Sequence, residues 1–358
     1  MNVKPRCTAT AIGSLPHPDP EQALNVILNA IPDAPIWPQL PKLGLREQME
    51  IQYSEGMPRV VIDDVKRRMF FDTAGDTSED LAKFYEGYMA ATEQGDFSAA
   101  AISPKFSAGI GALEKRLKSL NKKRPFVKCQ TTGPMSFALT IVDEAKRAIY
   151  YDEEFVDVVV KALAMKCRWQ IRKFKSFADN VICFVDEPIL SAYGSSTYVS
   201  VKRSDVIAKL KEVADAIHAE GALSGIHCCG NTEWSIPVDA GVTIVNFDAF
   251  QFGESVALYP EHMKRHLVEK KNALAWGIVP TSAAIRDVTS AQLADKFAGL
   301  ADHLAKKIGV DPKFVAEQAF ITPSCGTGSM DIPDAERVFA TLAETSAMLK
   351  QRYGFSRG

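Results

Sequence analysis

His227, Cys228 and Cys229 stand together in "GALSGIHCCGNTEW" (221–234), and a further thiol, Cys325, lies in "AFITPSCG". Both stretches close short apolar runs that read as strands, so strict alternation assigns their faces. His227 and Cys229 share one side, and Cys228 takes the other. Cys325 ends a later strand, 96 positions downstream of Cys229 (325 − 229). A curved sheet can bring two such strand ends together. One imidazole and two thiolates form the ligand set that zinc prefers. A histidine beside buried free thiols is also an ordinary core group. Both readings stand on the residues alone, and Cys325 at a second strand end is what speaks for a metal.

Three protein ligands leave one position of a tetrahedral zinc open, the pattern of a catalytic site. With two thiolates and a neutral histidine, such a site carries no net charge. A substrate thiol entering the open position gives up its proton and stays electron-rich. That suits alkyl transfer to sulfur better than activation of water.

The elements that must position these groups follow a regular alternation. Apolar runs at 8–15, 97–103, 125–132, 181–187, 223–229, 242–250, 273–279 and 319–325 are separated by amphipathic stretches, the clearest at 153–178, 204–221, 289–309 and 333–354. Eight strands alternating with helices predict an α/β fold with a parallel sheet. The count and length suit a single (β/α)8 TIM barrel over residues 1–358, with 43–75 as a candidate insertion; an open doubly wound sheet is the alternative. Barrel enzymes work at the C-terminal ends of their strands. Here those ends carry Gly13-Ser14, Thr132, Asp186-Glu187, His227 to Cys229, Asn246 with Asp248, and Cys325.

Composition narrows the field. With 42 basic and 44 acidic residues, nothing suggests a nucleic-acid or acidic-membrane partner. The first residues lack a secretory apolar segment, and no apolar run spans a bilayer, so a cytoplasmic protein is expected. The odd number of cysteines, seven, fits buried thiols, ligands or nucleophiles in a reducing compartment. Neither dinucleotide-binding nor phosphate-loop glycine motifs occur.

The motifs together resemble the superfamily that unites cobalamin-independent methionine synthase, uroporphyrinogen decarboxylase and the methylcobalamin:coenzyme M methyltransferases. "TAIGSLPH" resembles the "IGSFPQ" opening of the synthase catalytic domain, "KCQTTGPMSF" its "LTGPVT", and "FVDEPIL" its "IDEPAL". "IHCCGNTEW" matches the family His-x-Cys and is similar to the "HxCGNT" of the coenzyme M enzymes. "ITPSCG" resembles the segment carrying the last zinc cysteine. The motifs run in family order from residue 8 to residue 326. The decarboxylases lack the zinc cysteines and carry an arginine-rich N-terminal motif that is missing here.

The resemblance implies a zinc-dependent transfer of a methyl group to a thiol, homocysteine first, giving methionine. It implies Zn2+ on His227, Cys229 and Cys325. It implies amino-acid binding at Gly13 and Ser14, with Thr132 as a further substrate contact. Asp186 would grip a substrate ammonium. Asp186 and Glu187 are the candidate catalytic carboxylates, although alternation lets only one of them face the centre. Where the synthases place a ligating glutamate, this chain has Asn246. Asp248, two residues on and on the same face, could take that position. Full-length synthases have two barrels, and this chain matches the catalytic one. The methyl donor is then a folate or a separate corrinoid protein, since no cobalamin-binding Asp-x-His-x-x-Gly motif occurs. Two alternatives stand: a methylcobalamin:thiol methyltransferase of the coenzyme M type, and a metal-free decarboxylase-like lyase with Arg46 as anion binder. His17 is a further site candidate, and His262 and His266 read as a solvated basic face.

Overall fold

A computed structural model describes residues 4–355. Its strands are β1 (Thr8–Ala9), β2 (Val60–Asp63), β3 (Arg68–Phe71), β4 (Arg124–Thr132), β5 (Ala178–Asp186), β6 (Leu223–Cys228), β7 (Ile244–Phe247), β8 (Ala273–Val279) and β9 (Ala319–Pro323). Seven of them form one parallel sheet in the order β1-β9-β8-β7-β6-β5-β4. From β4 to β9 each strand lies beside its neighbour in the sequence, and β1 adds beside β9, with no point where the winding reverses. That order excludes the doubly wound alternative and gives an α/β sheet curled like part of a barrel.

The eighth position of a barrel is not a strand. The expected run at 97–103 instead holds a single 3-10 turn, Ser98–Ala100; its alanines and serines have little to gain from a pleated surface. The two edge strands are bridged by 33–39. Asp33 and Pro35 carbonyls accept from the Phe126 and Lys128 amides, while Gln39 exchanges backbone bonds with Gly13 and Leu15. Pro35 and Pro38 keep this segment from becoming a regular ladder, because proline cannot donate.

Two apolar layers hold the sheet. Inside the curl, Ile12, Phe126, Ile182, Leu223, Ile244 and Phe320 form one buried cluster. Outside, the larger core lies between sheet and helices. Helix Glu153–Phe174 opens on Asp152, whose side chain accepts from the Glu154 and Phe155 amides. Helix Ser290–Ile308 has a capping box of Thr289 and Gln292 and stops at left-handed Gly309, as its sequence predicts. Helix Arg203–Ala219 begins one residue early, so Ser204 lies inside it and does not cap it. Within 43–75, β2 and β3 form an antiparallel hairpin. Its Phe71 packs edge-on against Phe137 and Phe155.

Candidate metal centre

Strand β6 is paired so that Asp186, His227 and Asn246 lie side by side on β5, β6 and β7. His227 thus faces the inside of the curl at its C-terminal mouth. Cys228 faces the other way, into the core beneath the helices, where burial pushes its thiol up to about 12. Cys229 follows the strand end and returns to the His227 side. One ligand atom each from His227, Cys229 and Cys325 lies within 4.8 Å of the others. A His/Cys/Cys cluster of this kind could hold a metal ion.

Alternation alone does not deliver Cys325. Thr322 bonds Asn246 on the inner side, so a continued strand would turn Ser324 inward and Cys325 outward. The chain leaves β9 at Pro323, beside an irregular step in the β8–β9 register at Gly277 and Val279. Ser324 is drawn to β8 instead, through its amide to Val279 O at 2.8 Å and its hydroxyl accepting from the Thr281 amide at 3.1 Å. Gly277 makes the close approach feasible. A Cβ there would sit 2.6 Å from the Phe247 carbonyl and 2.9 Å from Ser324 Cα.

Asn246 orients the histidine. Its amide nitrogen donates to the Ala275 carbonyl at 2.9 Å and to Thr322 Oγ1 at 2.8 Å. A carbonyl only accepts, so the amide orientation is fixed and Asn246 Oδ1 faces His227 Nδ1. Nδ1 must then carry the proton. Nε2 is left buried with no hydrogen-bond partner, its lone pair free for a metal. This is the outer-shell support that ligating histidines usually have.

The Cys229 and Cys325 thiols act on each other. Cys229 is held down to about 4, first by its hydrogen bond with Cys325 and then by His227. Cys325 is pushed up by the same bond and by burial. Two neighbouring thiols, one of them acidified, and an imidazole nitrogen without a hydrogen-bond partner suit a divalent cation, which would displace the thiol protons. Asp248 does not join them. It caps the short helix Ala249–Phe252, with Oδ1 accepting from the Gln251 amide at 2.9 Å and Oδ2 from the Gln251 side chain at 2.8 Å.

The remaining candidates divide. Asp186 is 7% exposed, and its Oδ1 has no partner. Burial raises its pKa, against the pull of Lys128 and His227. Thr131 and Thr132 also bury unpartnered hydroxyls. Glu187 turns away from the mouth. It accepts from the Met135 amide at 2.9 Å and from the Ser136 amide and hydroxyl at 2.7 Å each, closing the N-terminus of helix Pro134–Thr140. Its tight seat needs Gly133, where a Cβ would come within 2.0 Å of Glu187 Cδ. Ser14 lies against the loop after Cys325. Its Oγ accepts from the Gly328 amide at 3.2 Å and its carbonyl from the Thr327 amide at 2.8 Å. Gly13 packs on the Gln130 side chain, whose amide nitrogen would lie 2.9 Å from an added Cβ.

Other expectations resolve plainly. Arg46 forms a two-pronged pair with Asp64. His17 Nε2 lies 3.4 Å from Glu336. The solvated face expected of His262 and His266 is only half present. His262 approaches Asp239 at 3.7 Å, but His266 is buried on the Ala273 carbonyl at 3.0 Å. A π-helical turn at Arg265–Glu269 changes the angular spacing that the i,i+4 pattern assumes.

Sequence reasoning missed Lys128. It stands inside the curl, fully buried, 4.5 Å over the Phe184 ring and bonded to the Ile12 carbonyl. Gly225 lets Phe184 lie there, since a Cβ would meet its ring at 2.1 Å. The signal was present in "PFVKCQTT", where the one cation falls on the inward parity of the strand.

No family model matches the chain, and no curated protein matches it. Among solved structures it is similar to a B12-independent methionine synthase from Shewanella sp. W3-18-1 in complex with selenomethionine. The identity is 15%, the TM-score 0.46, and the match covers 68% of this chain and 67% of that one. Among the described residues, no helix is long and apolar enough to cross a membrane.

Proposed function

We propose that this chain is a zinc-dependent methyltransferase that moves a methyl group to a thiol, with homocysteine the first candidate acceptor and methionine the product. The observation that carries the reading is the convergence of His227, Cys229 and Cys325, with Nδ1 engaged by Asn246 and Nε2 left without a partner. The run of motifs from "TAIGSLPH" to "ITPSCG" supports it. A zinc ion held by these three residues would supply a Lewis acid that favours the thiolate form of a substrate thiol.

The chain's own groups do the rest. The unpartnered Asp186 oxygen receives the ammonium of an amino-acid substrate, replacing a costly lone carboxylate by an ion pair. Ser14 Oγ accepts from Gly328, so its own proton remains to be given to a substrate carboxylate. The Thr132 hydroxyl completes that rim. Holding the substrate at both ends aligns its sulfur with the methyl donor, which is where much of the rate is won. The donor is a methylated folate or a corrinoid carried by another protein.

The test is a metal assay followed by a transfer matrix. Homocysteine, coenzyme M and simple thiols are crossed with methylcobalamin and a methylfolate. About one zinc per chain and methylation of homocysteine are expected. Full activity in zinc-free protein, or no methylated thiol from any pair, overturns the reading.

A further inference from the structure

On the flank of the molecule, away from the mouth, a cavity of about 420 Å3 lies between helix Ser78–Gln94, helix Glu153–Phe174 and the turn at Ser98–Ala100. That volume falls in the roughly 300–1,000 Å3 range of small-molecule sites. It exists because small residues face one another. Gly87 and Ala91 on one helix meet Ala162 on the other, where larger side chains would fill the space. Phe84, Phe97 and Met165 supply apolar walls.

Lys166 also lines this cavity, and the lysine is 1% exposed. Among the described residues its only hydrogen-bond partner is the Glu55 carbonyl, at 2.6 Å. An ammonium has three donors, so two are left without protein acceptors. Burial pushes its pKa down to about 8, with Glu55 partly holding it up. The Glu55 carboxylate is itself used by the Ser103 amide at 2.7 Å. Behind the Phe97 wall, the guanidiniums of Arg168 and Arg172 lie 4.1 and 4.7 Å from the ring centroid and are both paired with Glu220. The lining also carries the exposed carboxylate of Asp80 at its rim, and the buried cation with its spare donors still asks for an anion at depth.

We infer that this cavity is a binding site for a small monocarboxylate with an apolar body, its carboxylate on Lys166 Nζ and its tail against Phe84, Phe97 and Met165. One buried cation matches one negative charge, and the walls offer no second cation at depth. Lys83 lines the cavity but is exposed. The cavity shares no lining residue with the His227, Cys229 and Cys325 cluster.

The test is calorimetric titration of the full chain with sodium octanoate, with octanamide as the neutral analogue. Two variants accompany it: Lys166→Met, which keeps the length and removes the charge, and Ala91→Phe, which fills the cavity. Saturable one-to-one binding of octanoate is expected, weakened at least tenfold by Lys166→Met, by Ala91→Phe and by the change to octanamide. Ala91→Phe leaves the charge in place, so it reads the cavity even if Lys166→Met fails to fold. No binding of octanoate by the unaltered protein overturns the inference. So does a change of less than threefold in either folded variant.

Discussion

Asn246 Oδ1 accepts the Nδ1 proton of His227, while the other end of the same amide is tied to Ala275 and Thr322. Asn246 thus acts on the histidine, fixing its tautomer and ring angle.

Asn246→Ala frees the His227 ring without touching the cluster. Zinc affinity is expected to fall about 10–100-fold, the usual effect of losing such a partner. Competition against a chromogenic chelator measures it; unchanged affinity would show that the ring needs no such support.

The adjacent thiols separate cleanly. Cys228→Ala keeps its zinc and costs roughly 1–2 kcal/mol of stability as a small core deletion. Cys229→Ser and Cys325→Ser lose the metal. Elemental analysis of the three purified variants decides, and zinc loss from Cys228→Ala would reverse the assignment of faces.

Gly277 acts at a distance from the ligands. In Gly277→Ala the new Cβ collides with the Phe247 carbonyl and Ser324 Cα, so the segment leading to Cys325 must shift. Overpacking of this kind costs about 1–3 kcal/mol. Weaker zinc binding is expected together with the lower melting temperature, although no ligand is altered. Normal zinc affinity in the folded variant would detach the register step from the site.

Asp186→Asn opposes stability and function. Removing a buried carboxylate whose Oδ1 has no hydrogen-bond partner is expected to raise the melting temperature at pH 8, because the desolvation cost of the charge outweighs the pull of Lys128 and His227. The same change removes the anion proposed to hold the substrate ammonium. A loss of about 2–5 kcal/mol, expressed mainly in KM, is expected for the amino-acid thiol. Zinc content should stay level, and a thiol without an amine should react equally well with both proteins.

His266 provides a pH signature unrelated to catalysis. Burial lowers its pKa from 6.5 to about 4, so the unfolded chain takes up the proton first. Its contribution is fully present above pH 6.5 and is lost as pH falls through that window towards 4. The loss amounts to about 3 kcal/mol. Urea unfolding of the protein and of His266→Gln across this range measures it: the variant's stability should fall less steeply by that amount. Parallel slopes would mean that the histidine titrates normally.

Most of the sheet was legible because parallel strands covered on both faces read as apolar runs. The mouth residues were legible because polar groups interrupt those runs at their ends. The 33–39 segment was hidden by its prolines, which mark it as a non-strand although its carbonyls serve a strand's purpose. Asp248 was misleading for a local reason: an aspartate ending a strand and opening a helix is pulled to the new amides as a cap. Lys128 was overlooked because a cation in a strand is expected at the surface. The placement of Cys325 depends on a register step between two strands, and no single-strand pattern contains that information.

The proline-bearing segment between β1 and β4 also bears on how the protein behaves among its own copies. A curled sheet with two bare margins would offer rows of amides and carbonyls to any passing extended chain. Here the Phe126 and Lys128 amides on one margin and the Gly13 and Leu15 backbone on the other are already engaged. The cover has two positions that cannot donate, so it is a poor template for a further strand. Irregularity at this seam guards against edge-to-edge pairing, because it occupies both margins without presenting a new one.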